Sequence, residues 1–194
     1  MLQSGFDHGG PYSLLQLHQS SCVIGGRLIK WKMKMGFFLK CTTGECRVIS
    51  ISKLVPSDRG VWEALFRAYI DFYQGAEPPE MYERAWREFQ TDTRLHALGA
   101  RLDGRLVGIT HFLVHPHTLG GDVCYLQDLF TAPDARGKGV GRALIAAVAD
   151  WAKARGCRRV YWNTQASNST ARYLYDKVAE NRGSSIRYQI DRSR

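Results

Sequence analysis

Three groups of residues in this chain have types and spacings that suit chemistry. The first is Arg136-Gly-Lys-Gly-Val-Gly-Arg142, which follows an apolar, strand-like run (Val123 to Thr131) and a Pro133-Asp134 turn and opens an apolar helical repeat. Gly137, Gly139 and Gly141 let backbone N–H groups converge without Cβ obstruction, and the helix N-terminus adds its partial positive charge. Arg136, Lys138 and Arg142 add full charges. This is a cradle for a pyrophosphate. The Walker string Gly-x-x-x-x-Gly-Lys-Ser/Thr does not occur, and the glycine spacing does not supply a dinucleotide fingerprint. The second group is Asn168-x-x-Ala171-x-x-Leu174-Tyr175. Its ends are about two helical turns apart and project from one face. A neutral Tyr with a pKa of about 10 can protonate a leaving anion there; a core aromatic on an amphipathic stripe is the plainer use of Tyr175. The third group gathers acids and aromatics: Gln127-Asp128 on the strand before the cradle, and Tyr69-Ile-Asp71-Phe-Tyr73 on a helix.

The elements that must position these groups follow from periodicity. Residues 47–52 alternate as a first strand that ends at Pro56. Ser57 or Asp58 caps a helix with Val61, Leu65, Ala68/Tyr69 and Phe72 on one face, stopping near Gly75. Pro78-Pro79 opens a second helix with Tyr82, Trp86 and Phe89 inward. Strands over 95–102 and 105–114 flank Asp103-Gly104, a type I′ hairpin signal. A loop with His115-Pro-His117 leads to the central strand at 123–131. The helix after the glycine loop uses Val140, Leu144, Val148 and Trp151 and ends at Gly156. A strand over 159–164, a helix through Val178 and a last strand at 186–190 complete the order β-α-α-β-β-β-α-β-α-β.

Composition bounds the function. At 194 residues and 44% apolar, the chain forms one sizeable core, read here as one domain over 46–194. Residues 1–45 keep no period and read as an atypical N-terminal extension, poorly ordered or an over-long start with Met33 or Met35 as alternatives. No apolar run is long enough to span a membrane and no signal peptide opens the chain. Five cysteines without regular spacing suit a reducing cytoplasm. Charge is polarised: residues 136–159 carry seven basic side chains against Asp150, and residues 71–92 carry six acidic against Arg84 and Arg87. One end suits an anion, the other a cation. The net charge of +9 carries no interleaved aromatic stripe or DNA-reading motif, so no nucleic-acid partner is expected. His111, His115 and His117 lack an acidic partner at motif spacing, so no metal is expected; His115 or His117 is read as an acceptor-site or proton-relay group, with His115 taken for the site.

The string Arg136-x-x-Gly139-x-Gly141 after a strand and Pro133 resembles the acyl-CoA signature of the GNAT superfamily of N-acetyltransferases, and the resemblance extends over residues 46–190. It implies an α/β fold (α+β by some schemes): a mixed central sheet of about six strands with four helices and acetyl-CoA in the splay between the central strands. The usual seventh strand is lacking, which leaves an edge that the partner in a homodimer would cover. By the same resemblance Leu129, Phe130 and Thr131 hold the pantetheine arm. The amides from Gly137 through Lys138, Gly139, Val140 and Gly141 to Arg142 hold the pyrophosphate, beside Arg136. Asn168 bonds the cofactor arm and Tyr175 lies beside its sulfur.

A primary amine with a pKa near 10.4 costs roughly 4–5 kcal/mol to deprotonate at pH 7, so transfer to it needs a base or water relay. The run Tyr125-Leu-Gln-Asp-Leu-Phe resembles spermidine/spermine N-acetyltransferases, which carry a Glu-Asp pair there, and residues 62–188 resemble the bacterial branch related to histone and polyamine acetyltransferases. Gln127 stands where that family has the Glu proposed as base, so it is assigned to acceptor binding only. Asp128 binds the ammonium or relays its proton, unless it pairs with a buried arginine. Tyr69, Asp71 and Tyr73 grip the cation through charge and aromatic faces. The expected activity is direct attack by an amine on acetyl-CoA in a ternary complex. The acceptor is a polyamine, a lysine side chain or another small cationic amine, with an aminoglycoside as a further choice. A CoA-binding regulator without turnover is the competing class, supported only by Gln127.

Overall fold

The computed structural model describes residues 48–183 and 190 in full, and residues 18–24, 27–33, 37–42 and 45–47 by the course of their strands. The strand expected at 186–190 lies outside the described residues, Ile190 apart. Strands β1 (His18–Ile24) and β2 (Arg27–Met33) pair antiparallel with each other. A separate six-stranded sheet runs in sequence order: β3 (Phe37–Thr42), β4 (Glu45–Lys53), β5 (His96–Leu102), β6 (Arg105–His117), β7 (Gly120–Thr131) and β8 (Val160–Tyr161). All its neighbours are antiparallel except β7 and β8. The strands within 18–42 lie where no period is visible in the sequence.

Helices cover both faces. Helix α3 (Val140–Ala154) packs Val140, Ala143, Leu144 and Val148 on one face, over Ala100, Phe112, Cys124 and Leu126. Helices α1 (Arg59–Phe72) and α2 (Pro79–Thr91) cover the other with Trp62, Phe66, Tyr82, Trp86 and Phe89, over Ala97, Ile109 and Phe130. Burial of each large side chain in these layers contributes about 1.5–3 kcal/mol. With both faces covered, β5 is buried almost continuously, as a two-sided strand must be. Pro79 takes the first position of α2, and Asp103 and Gly104 both have positive φ (51° and 85°), the type I′ turn that the sequence predicts.

Three boundaries differ from the reading by period. Strand β6 continues through His115 and His117, which pair with Val123 and Gly120; no loop intervenes. Pro116 falls where the ladder shifts register, so its missing N–H breaks no regular pairing. Strand β8 shrinks to Val160–Tyr161 because it pairs β7 only at Cys124 and Tyr125 and then diverges. Helix α4 (Ser169–Tyr175) stops at Tyr175, and residues 176–178 form turns instead.

Two features of β7 create the site. First, His111 pairs with Asp128 but Phe112 pairs with Leu126, so Gln127 is an extra, exposed residue in a β-bulge. The bulge changes which side chains face which layer. Cys124 and Leu126 join the α3 core, whereas Asp128 and Phe130 turn toward α1. Second, beyond Tyr125 no described strand pairs with the β8 side of β7, so its backbone groups border an opening. The α3 N-terminus is pressed against this region at Gly108, where a Cβ would sit 2.7 Å from Val140 Cγ1 and 3.2 Å from the Phe130 carbonyl oxygen. Gly108→Ala is therefore expected to destabilise the fold by about 1–3 kcal/mol, through overpacking. Urea unfolding checks this as a lower midpoint at unchanged slope.

Candidate active site

The end of β7 leads into a short 3₁₀ turn (Pro133–Ala135) and then to Arg136, whose Nε donates to the Thr131 carbonyl at 3.3 Å. Gly137 (φ 73°) and Gly139 (φ 95°) occupy left-handed backbone that a side chain disfavours. Gly139 is the N-cap of α3, and a glycine cap offers no side chain to the first helical amides. The Val140, Gly141 and Arg142 N–H groups belong to the first turn of α3, at the positive end of the helix dipole. They border a cleft of about 550 Å³ together with Arg136 and Arg142. Backbone donors, helix dipole and two guanidinium groups fit a diphosphate.

The structure brings most of the sequence-assigned residues to this one cleft. Leu129, Phe130 and Thr131 form its strand wall, and Asn168 and Tyr175 form the α4 wall. The Asn168 Oδ1 accepts from the Ala171 N–H at 3.2 Å, capping α4 and leaving the Nδ2 amide for a ligand. Leu174 closes the gap to α3: a Cβ on Gly141 would lie 3.1 Å from Leu174 Cδ2. Tyr175 packs edge-on to Trp162 at 5.3 Å between ring centres. Burial, and then the neighbouring Tyr73, pushes its phenol up to about 12, so it keeps its proton through neutral pH. Tyr175→Phe is expected to lower kcat by about 100-fold, the scale of a lost proton donor. The dissociation constant for CoA stays close to wild type, as steady-state kinetics beside calorimetry will show.

The last turns of α1 form the opposite wall. Tyr69 and Tyr73 meet edge to face at 5.1 Å, and Phe72, 54% exposed, stands at the mouth. Behind Tyr69 lies Asp128, only 8% exposed. Its Oδ2 lies 2.8 Å from His111 Nδ1, and its carbonyl accepts from Thr110 Oγ1 at 2.8 Å. Burial first, then the charge of the neighbouring Asp128, drives the Tyr69 phenol far above its ordinary range. Among the described residues no arginine pairs with Asp128; its partner is His111, which the sequence reading did not assign to the site.

Besides Asp128, which lies behind Tyr69, four sequence-assigned residues do not line the cleft. Lys138, half-buried between Gly137 and Gly139, is not part of the cleft wall. Asp71 is an exposed residue of α1. Gln127 is exposed on the bulge, which gives the buried place to Asp128. His115 stands where β7 and β8 are still joined, with Nε2 2.9 Å from the Tyr161 hydroxyl. Conversely, Phe72, Thr170, Tyr173 and Lys177 line the cleft unforeseen. Tyr173 is 68% exposed with Lys177 Nζ 3.5 Å from its ring centre, and a solvent-facing pair leaves no apolar period to read. Among the described residues no group of three or more His, Cys, Asp or Glu is placed to hold a metal ion, and no helix is long and apolar enough to cross a membrane.

A mixed sheet that splits beside a glycine-turned helix N-terminus, with arginines at the split and the half-buried Tyr175 on the facing wall, is the arrangement of an acyl-CoA-dependent acetyltransferase. Residues 62–179 match the Acetyltransferase (GNAT) family, and the chain belongs to it. It is an acetyl-CoA-dependent N-acetyltransferase. The D-amino-acid N-acetyltransferase HPA3 of Saccharomyces cerevisiae is 34% identical over 136 residues, 68% of this chain and 84% of that protein. The ribosomal-protein-alanine N-acetyltransferase of Brucella melitensis biovar Abortus 2308 superposes with a TM-score of 0.63 at 28% identity, over 74% of this chain and 98% of that one. The aminoglycoside N-acetyltransferase AAC(6')-Iy in complex with CoA has the same fold, with a TM-score of 0.63 at 21% identity over 75% and 95% of the two chains. The names of these relatives do not carry the polyamine label that the central strand resembles.

Proposed function

We propose that this enzyme acetylates the primary amine of a small cationic acceptor by direct attack within a ternary complex, with the acceptor entering between Tyr69, Phe72 and Tyr73. The observation that carries the reading is a single cleft with opposite ends. Arg136, Arg142 and the α3 amides suit a diphosphate, whereas aromatic faces with Asp128 behind them suit an ammonium group. In this reading Leu129 to Thr131 present strand backbone to the pantetheine arm, as an added strand would. A β7 N–H polarises the thioester carbonyl, and much of the rate comes from holding amine and thioester together. Tyr175 protonates the departing sulfur.

The acidic run over 71–92 disposes this end toward cations of several shapes, so polyamines, lysine side chains and small amino compounds belong to one class of candidates. A second reading, an aminoglycoside acceptor, draws on the AAC(6')-Iy fold and on the polyamine-like charge of such molecules. The competing regulator reading rested on Gln127, whose exposed place off the cleft removes that support. The test is thiol release from acetyl-CoA across polyamines, lysine peptides, D-amino acids and aminoglycosides, with mass detection of each product. Steady release with one small primary amine class is expected. Absence of release with every amine tried contradicts the proposal.

A further inference from the structure

Beneath the acceptor side of the cleft, side chains from three elements are joined end to end. The Trp62 indole Nε1–H donates to His111 Nε2 at 2.9 Å, His111 Nδ1 lies 2.8 Å from Asp128 Oδ2, and Tyr69 on the cleft wall stands close enough to feel the charge of that carboxylate. Trp62 and His111 are 0% and 2% exposed. Phe89 stacks on the His111 ring at 4.4 Å and Phe66 meets it edge-on at 4.7 Å, so the imidazole is held in one orientation.

This arrangement determines where each proton sits. An indole N–H only donates, so His111 Nε2 accepts. A neutral imidazole then carries its one proton on Nδ1, which donates to Asp128. The other tautomer, or an imidazolium, would set an N–H against the indole N–H. The carboxylate only accepts, so the neighbouring Tyr69 hydroxyl can meet it only as a donor, with its oxygen lone pairs left for the cleft. Facing Asp128 are His111 from β6 and Tyr69 from α1, with Tyr73 and Tyr175 further along the walls. Among the described residues its ion-pair partner is His111.

We propose that His111 is a positioning residue for acetyl transfer: held as its Nδ1–H tautomer by Trp62, it fixes the Asp128 carboxylate behind Tyr69, and the acceptor nitrogen's proton passes to Tyr69 Oη as the Tyr69 proton passes to Asp128. This rests on the acetyl-transfer reading above and adds the proton's route. The ammonium first releases one proton to solvent, since only the neutral amine can attack; as the N–C bond forms, the nitrogen loses a second proton to the Tyr69 oxygen, and that hydroxyl's own proton moves to Asp128. As the C–S bond breaks, its electron pair goes to sulfur, which takes a proton from Tyr175. The proton gained by Asp128 and the one lost by Tyr175 balance through solvent. Tyr69 gains a proton as it loses one, so it never needs to ionise, which suits a phenol held protonated by burial and by its anionic neighbour.

Long-range ¹H–¹⁵N spectra of the wild-type enzyme read the tautomer without any turnover. A neutral ring protonated at Nδ1 is expected near neutral pH; an Nε2–H tautomer or an imidazolium overturns the proposal. In kinetics, His111→Leu is expected to lower kcat about tenfold or more at nearly unchanged KM for acetyl-CoA, as a part of the acid–base contribution. His111→Asn, whose amide returns an N–H near the Nδ1 position, recovers most of that loss. Wild-type kcat in a folded His111→Leu enzyme overturns the role. Failure to acetylate any amine would instead sink the functional reading, leaving the spectra to decide the tautomer.

Discussion

Asp128→Asn lowers kcat about 1,000-fold, within the range of a lost general base, and leaves CoA binding near its wild-type strength. The substitution conserves shape but reverses half of the hydrogen-bonding character at a site with little solvent. His111 Nδ1–H and the Tyr69 hydroxyl both need an acceptor, and an amide offers one oxygen to the two of them. Its NH₂ group then faces a donor, a buried mismatch of about 1–3 kcal/mol. The altered carboxylate lies off the cleft wall that carries Arg136 and the α3 amides, so the diphosphate subsite is untouched. Rapid-quench turnover beside calorimetric titration of CoA separates the two effects. A kcat within a few-fold of wild type would remove Asp128 from the chemistry.

Gly141→Val weakens CoA binding about 100-fold, some 2.7 kcal/mol. The position lies in the first turn of α3 and on the cleft wall, and even a Cβ there comes within 3.1 Å of Leu174 Cδ2 and 3.9 Å of Thr131 Oγ1. Two further methyl groups either occupy the space of the ligand or push α4 outward, carrying Asn168 and Tyr175 with it. The loss therefore appears in the dissociation constant for CoA, and calorimetry reads it directly. Affinity equal to wild type would mean that the ligand's diphosphate does not lie against this turn.

Much of this site is legible in the sequence because its parts are local. Glycine spacing, the Pro133 turn and the apolar repeat after Val140 identify a strand, loop and helix within one short stretch. Asn168 and Tyr175 share a helix face by spacing alone, and both reach the cleft. The non-local parts are not legible. The bulge at Gln127 arises from pairing with β6, and it decides that Asp128, not its neighbour, turns inward. His111 reads as an ordinary strand residue until Trp62, forty-nine positions earlier, is brought against it. His115 looked placed for an acceptor because a loop was expected there, but the ladder with β7 continues past it and holds it at the wrong end of the strand. Likewise β8 has the composition for a longer strand, and its early divergence depends on what β7 does beyond Tyr125.

We propose that the turn after Thr131 holds the diphosphate of CoA and leaves its sulfur beside Tyr175. A crystal structure of the full chain grown with CoA tests it most directly. Diphosphate oxygens are expected within hydrogen-bonding distance of the Val140, Gly141 and Arg142 amides, with the pantetheine arm along Leu129 to Thr131 and the thiol next to the Tyr175 hydroxyl. CoA bound elsewhere, or bound here with its thiol directed away from Tyr175, would contradict it.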